Sequence, residues 1–298
     1  MGLGPAAQLV AVGVDDGRGA AAAARYAASV ARERGWDLML VHGGWREEAD
    51  DGEAVLDSVL AALALRDGTR VHRVLTPDAA VEALRRVSGL VSVLALGQDR
   101  PALGEPLVLG PVAAAVISAA RGPVVLVPRG WDREHGAGRP VVAALDADAP
   151  AGLPLGCAFV EADLDGVPVV VVRTVAGPTE GAESEGEGEG DGQDQAERES
   201  AYAEALTAAH REHPDVGTRT VLVPGDPEGW VPDPGVLASL VVVGPPLGGL
   251  HAGAWARSVA GPLLRRSGCP LLVVPPDDAP PGSSTLLRRR ARVRGRRR

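Results

Sequence analysis

The chain repeats itself, and this restricts it to folds that can be built twice. Val10-Ala-Val-Gly-Val-Asp15 matches Val141-Val-Ala-Ala-Leu-Asp146 at an offset of 131 residues. Gly35-Trp-Asp-Leu-Met-Leu-Val41 matches Gly166-Val-Pro-Val-Val-Val-Val172 at the same offset. Further on, Leu94-Ala-Leu-Gly97 matches Val241-Val-Val-Gly244, and Gly122-Pro-Val-Val-Leu-Val-Pro128 matches Cys269-Pro-Leu-Leu-Val-Val-Pro275, both at 147. The second copy therefore carries a net insertion of 16 residues between its second strand and its fourth.

Within each copy, short Val/Leu runs alternate with Ala-rich helical patterns, the pattern of successive βαβ units and a mostly parallel sheet. The alternation predicts strands near 8–14, 37–42, 70–75, 91–96 and 123–127, with helices near 18–34, 51–65, 78–88 and 111–120. In the second copy it predicts strands near 140–145, 168–173, 218–223, 239–243 and 270–274. The third helix of that copy is damaged, because Glu228 to Leu240 contain two prolines and two glycines that leave room for a short turn at most. Composition agrees: hydrophobic residues make up 45% and aromatics only 3%, so cores must be built from Val, Leu and Ala. Such cores suit buried parallel strands.

The expected organisation is a tail at 1–7, a first domain at 8–129, a linker at 130–139 and a second domain at 140–276. A polar, Arg-rich tail at 277–298 is expected to be disordered. The insertion falls at 177–200, GPTEGAESEGEGEGDGQDQAERES, where Gly and Glu are too dense to bury apolar area. It reads as a disordered acidic loop.

Several chemistries find no support. The chain has no lysine, so it cannot form a G-x4-G-K-[S/T] phosphate loop, and Gly2-Leu-Gly4 precedes the first strand where a dinucleotide fingerprint would follow it. Cys157 and Cys269 lack metal-ligand spacing and read as buried thiols in a reducing compartment. His210 and His213 lack further ligands at sensible spacing, and His72 has no evident Ser or Cys partner. His42, at the end of the second strand, reads as a structural or solvated group, with the lining of a nucleoside pocket as the alternative. No apolar run reaches the roughly 18–20 residues of a membrane span. The first residues lack the basic and apolar regions of a secretion signal, and the expectation is a cytoplasmic protein.

The stretch LGQDRPALGEPLVLGPV (96–112), with Gly13-Val-Asp-Asp-Gly17, LMLVHGG (38–44), GPVVLVP (122–128) and GCPLLVVP (268–275), resembles the universal stress protein family in its tandem two-domain form. The resemblance spans most of residues 8–276. It implies an α/β fold of the adenine nucleotide alpha hydrolase-like type, with two tandem doubly wound domains. Each would be a five-stranded, mostly parallel sheet with helices on both faces. Members that bind ATP carry G-x2-G-x9-G-[S/T] after the fourth strand and an Asp ending the first.

Carried onto this chain, the resemblance assigns Asp15, Gly97 and Gly110 to the first copy, which has Arg100 for the second glycine and Pro111 for the hydroxyl residue. It assigns Asp146, Gly244 and Ser258 to the second, which has Leu247 and Arg257 for the other glycines. Neither motif is intact. Pro101, Pro106 and Pro111 remove N–H donors from the first loop, while Asp99 and Glu105 add charge of the wrong sign for phosphate. The second loop, GPPLGGLHAGAWARS (244–258), contains no acid and keeps Gly253. There Ser258 and Arg257 are candidates to contact phosphate. The second copy is thus the better candidate for ATP, with Mg if bound, and the first is expected to be structural. That both loops merely cap a helix remains the plain alternative.

Charge is segregated. Nine acids crowd residues 180–199, and eight arginines lie between Arg288 and Arg298, within a net charge of -9. The tail could contact nucleic acid or an anionic surface in a salt-sensitive way. The resemblance also implies pairing through the last strands, Val124–Val127 against Leu271–Val274, as an intramolecular pseudo-dimer or in a homodimer. The expected function is a non-catalytic, stress-related binding or regulatory module. The alternatives are a nucleotide-independent scaffold acting through its charged segments, and an ATP-hydrolysing enzyme of the same fold group.

Overall fold

The structure is a computed structural model that describes residues 8–15, 17–44, 52–63, 65, 68–98, 109–146, 149–175, 189–224, 230–233, 237–244 and 258–275. The first half runs β1 (Leu9–Gly13), α1 (Arg18–Arg34), β2 (Asp37–Gly43), α2 (Gly52–Ala61), β3 (Val71–Thr76), α3 (Ala80–Ser88), β4 (Val93–Gln98), α4 (Pro111–Ala119) and β5 (Val124–Pro128). A short 3-10 turn, Arg133–Gly136, leads into the second half. That half runs β6 (Val141–Leu145), α5 (Gly152–Asp165), β7 (Val169–Val175), α6 (Glu189–Glu212), β8 (Thr218–Pro224), β9 (Leu240–Val243), α7 (Ala260–Ser267) and β10 (Leu271–Val273).

All ten strands join one sheet in the order β3-β2-β1-β4-β5-β10-β9-β6-β7-β8. Each half is parallel throughout and lists its strands in the same order from edge to centre. At the centre β5 and β10 meet antiparallel, with Leu126 opposite Leu271, Val125 opposite Leu272 and Val124 opposite Val273. A parallel half cannot close on itself, so without this contact β5 and β10 would each be an exposed apolar edge.

The two-residue period of the strands sorts side chains onto two faces. Val10, Val12, Leu38 and Leu40 face α1, α2, α5 and α6, in a core that runs from one half to the other. Leu9, Ala11, Leu94 and Leu96 face α3, α4 and α7. Helices thus cover both faces of the sheet. Among the described residues no helix is long and apolar enough to cross a membrane.

Repeated local devices set the helices on the sheet. α1 ends at Gly35 and α5 at Gly166, both left-handed (φ +64° and +68°), and each donates its N–H to the carbonyl four residues back, Ala31 and Ala162. Glycine is favoured there because a Cβ strains that conformation. Gly97 serves contact instead: a Cβ on it would lie 2.2 Å from the Gly19 carbonyl carbon, so its absence lets β4 approach the first turn of α1.

Where α1 and α5 meet, Arg34 donates to the Glu161 carboxylate, with side-chain exposures of only 9% and 5%. Burial alone pulls the guanidinium down in pKa, but the Glu161 charge and hydrogen bond more than offset it and the net shift is upward. Arg34 also lies over the Trp36 ring at 5.1 Å, and Arg133 pairs with Glu33 nearby.

The insertion departs from expectation. α6 spans Glu189–Glu212, so residues 189–200 are helical where a disordered loop was expected. The physical cause is an apolar stripe just beyond the acidic run: Tyr202, Ala205, Leu206 and Ala209 pack on the core. Residues 177–188 and the tail 277–298 lie outside the described residues, as do residues 1–7. Residues 230–233 and 237–239 are not helical, consistent with the prolines around them.

Two stability predictions follow from this packing. Gly97→Ala should lower the urea midpoint by an amount equal to about 1–3 kcal/mol or more, because backbone must move to admit the methyl group. Glu161→Gln should cost about 3–5 kcal/mol in the same measurement, since it leaves the Arg34 charge buried without its counter-ion.

Candidate functional site

In the first half the strand-end aspartate turns inward on its own loop. Asp15 is exposed, and its Oδ1 accepts a hydrogen bond from the Gly17 N–H at 2.9 Å, forming the turn that enters α1. Gly97 is committed to the α1 contact described above. Gly110 caps α4 in an extended conformation with no side-chain hydrogen bond, and Pro111 opens the helix without an N–H. The loop between them, residues 99–108, lies outside the described residues. His42 is buried, and its Nδ1–H donates to the Val14 carbonyl at 2.9 Å, tying β2 to the end of β1.

The second half uses its aspartate differently. Asp146 Oδ1 accepts from the Val259 N–H at 2.9 Å, which joins the end of β6 to the start of α7. Ser258, 5% exposed, immediately precedes that amide, and its carbonyl accepts from the Gly261 N–H in the first helical turn. Gly244 follows β9 and has room: a Cβ there would meet Pro154 at an ordinary 3.7 Å. Gly253 and Arg257 lie outside the described residues. The structure thus gathers Asp146 and Ser258 at one helix start, whereas the first-half residues Asp15, Gly97 and Gly110 each serve a separate local role.

Arg173 stands 131 residues after His42, at the corresponding place in β7. Its guanidinium donates to both Glu199 oxygens, at 2.9 and 2.8 Å, and lies 4.2 Å from the Tyr202 ring centroid. α6, the lengthened counterpart of α2, therefore reaches across the end of β7. Between them is a cavity of about 170 Å³, lined by Asp146, Arg173, Arg198 and Tyr202 among others. Sequence reasoning missed Arg173, Glu199 and Tyr202. The signal was present in the helical spacing of Tyr202, Leu206 and Ala209, but the Gly/Glu run before it dominated the composition.

Three further histidines are tied to structural partners. His72 is 3.0 Å from the Asp37 carboxylate, His210 Nδ1 bonds the Leu206 carbonyl, and His213 Nδ1 bonds Asp163. Both cysteines are buried, and neither forms a disulfide. Among the described residues no group of three His, Cys, Asp or Glu side chains is placed to hold a metal ion.

A sequence profile of the universal stress protein family matches residues 138–275, the half that holds the Asp146 and Ser258 cluster. A universal stress protein of Mycobacterium tuberculosis is 27% identical over 297 residues, covering 92% of this chain and 98% of its own length. Residues 138–275 carry a universal stress protein domain. Another universal stress protein, from Mycobacterium bovis, is 25% identical over 287 residues and is covered to 90%. Solved structures agree on the fold. A universal stress protein from Archaeoglobus fulgidus superposes with a TM-score of 0.58 at 14% identity, covering 90% of this chain and 98% of its own. One from Pseudomonas aeruginosa gives 0.58 at 17%, covering 96% and 98%.

The Arg173 clamp has a defined acid limit. The Arg173 hydrogen bonds hold the Glu199 carboxyl below its ordinary pKa. A carboxylate lowered on folding stabilises above its unfolded pKa, and its contribution is lost as pH falls through the depressed folded value. The carboxyl carbon of Glu199, followed by NMR, should therefore titrate below the ordinary glutamate range and return to it in Arg173→Ala.

Proposed function

We propose that this chain is a non-catalytic, stress-related binding and regulatory module of the universal stress protein family. In this reading residues 8–129 and 140–276 form two domains, the second holds ATP and the first is structural. One observation carries the reading: Asp146 reaches across to the Val259 N–H at the start of α7, whereas Asp15 bonds within the turn that enters α1.

The residues there suit a nucleotide. The start of α7 offers backbone N–H groups to phosphate, and Ser258 stands beside them with Arg257 next in the chain. The neighbouring cavity is lined by Asp146, Arg198 and Tyr202, with Arg173 held beside them by Glu199. Asp146 accepts from one of those amides and so fixes the start of α7 against the end of β6, which makes it part of the site's framework. Magnesium would arrive on the ATP phosphates, since no preformed group of protein ligands is found among the described residues. The structural ties of His42, His72, His210 and His213 support a binding role over a catalytic one.

The test is calorimetric titration of nucleotide-free protein with Mg-ATP. Saturable heat is expected from the full chain and is expected to vanish in Asp146→Ala and Ser258→Ala. No heat up to millimolar ATP, from protein shown to be folded by circular dichroism, would overturn the reading. Sustained phosphate release during the titration would replace it with the enzyme.

A further inference from the structure

A groove of about 530 Å³ lies away from the loops after β4 and β9, between α1, the end of α2 and the segment that follows β5. Four arginines line it, Arg25, Arg32, Arg129 and Arg133, with Asp132 as the single acid. This concentration occurs in a chain whose net charge is -9, so general charge balance does not account for it. None of Asp15, Gly97, Gly110, Asp146, Gly244 or Ser258 lines the groove.

The arginines arrive in two pairs. Arg25 and Arg32 are seven residues apart on α1, two turns along one face. Arg129 and Arg133 flank Trp131 in the turn after β5, where the Trp131 N–H donates to the Pro128 carbonyl at 2.9 Å. The Trp131 ring is held edge-to-face by Tyr26, with centroids 5.3 Å apart and planes at 73°. A fixed indole therefore stands among the cations.

That charge is only partly neutralised. Glu33 pairs with Arg133 and lies 3.8 Å from Arg32. Among the described residues Arg25 and Arg129 have no carboxylate partner, although both are exposed. Asp132 is occupied, its Oδ1 accepting from the Glu134 N–H at 3.0 Å. Guanidinium groups match phosphate oxygens in geometry and charge, and a held indole offers a flat face to a planar ring. The volume is that of a small-molecule pocket.

We infer that this groove is a second ligand site that takes a nucleoside phosphate, with phosphate on the Arg25 and Arg129 guanidiniums and the base against Trp131. The inference does not rest on the second-half loop, and the two can fail separately.

The test follows the indole N–H resonances of the full-length, 15N-labelled protein during titration with ADP. The Trp131 signal is identified by its loss in Trp131→Phe. It should move saturably, and the apparent affinity should fall about tenfold or more in Arg25→Ala/Arg129→Ala, which removes two charge-assisted contacts from exposed positions. Asp146→Ala should leave the shift unchanged. A Trp131 signal that stays still up to millimolar ADP overturns the inference, even where calorimetry finds ATP at the Asp146 site. So does a response that survives the double arginine variant. If pyrophosphate matches ADP in both shift and affinity, the base has no place and the nucleoside assignment falls. If a short single-stranded oligonucleotide binds at least tenfold more tightly than ADP and moves the same signal, the small-ligand assignment falls.

Discussion

The antiparallel pairing of β5 with β10 is the constraint from which the rest of the molecule follows. A five-stranded parallel half leaves its last strand open along one side, and here that strand is entirely apolar, Val124–Val127 in one half and Leu271–Val273 in the other. Bringing the two together satisfies both edges at once, because each supplies the backbone donors and acceptors the other lacks. It also aligns the halves so that α1 and α5 share one face of a single sheet, and the core beneath them runs through without a break. Within one chain the partner strand is always present, and the pairing needs no second molecule.

Joining the halves in this way places polar chemistry at the seam. Arg34 and Glu161 are nearly out of contact with water, and charges so buried persist only when paired. The pair is specific to this sequence at its two positions: residues 131 away are Val30 opposite Glu161 and Asp165 opposite Arg34, so the repeat does not reproduce it. The contact is therefore asymmetric in a sheet whose strand order is symmetric.

The same divergence marks the functional ends of the strands. Asp15 and Asp146 occupy equivalent places, yet one closes its own turn and the other reaches a helix start. His42 and Arg173 are likewise equivalent, but His42 is tied to a neighbouring carbonyl while Arg173 is held by Glu199 and Tyr202 from α6, which the insertion lengthens. One half has kept the geometry as scaffolding, and the other has been remodelled by an insertion only that half possesses. The acidic run thus supplies a contact as well as charge.

The sequence by itself determined the architecture. The offsets of 131 and 147 exposed the repeat, and the alternation of Val/Leu runs with Ala-rich stretches located all ten strands, because strand and helix periods are local properties that each segment carries. Asp146 and Ser258 became candidates through the family resemblance, whose motif can be laid onto the linear sequence. What only the tertiary structure decided depended on distance through space. The carboxylate of Asp146 chose the amide of a residue 113 positions away. Arg173 found partners on a helix that the Gly/Glu composition had concealed. Four arginines from α1 and from the turn after β5 gathered around Trp131, although nothing in their sequence spacing joins them. Hydrophobic period is written residue by residue, whereas charge pairing is set by which surfaces the packed sheet brings together.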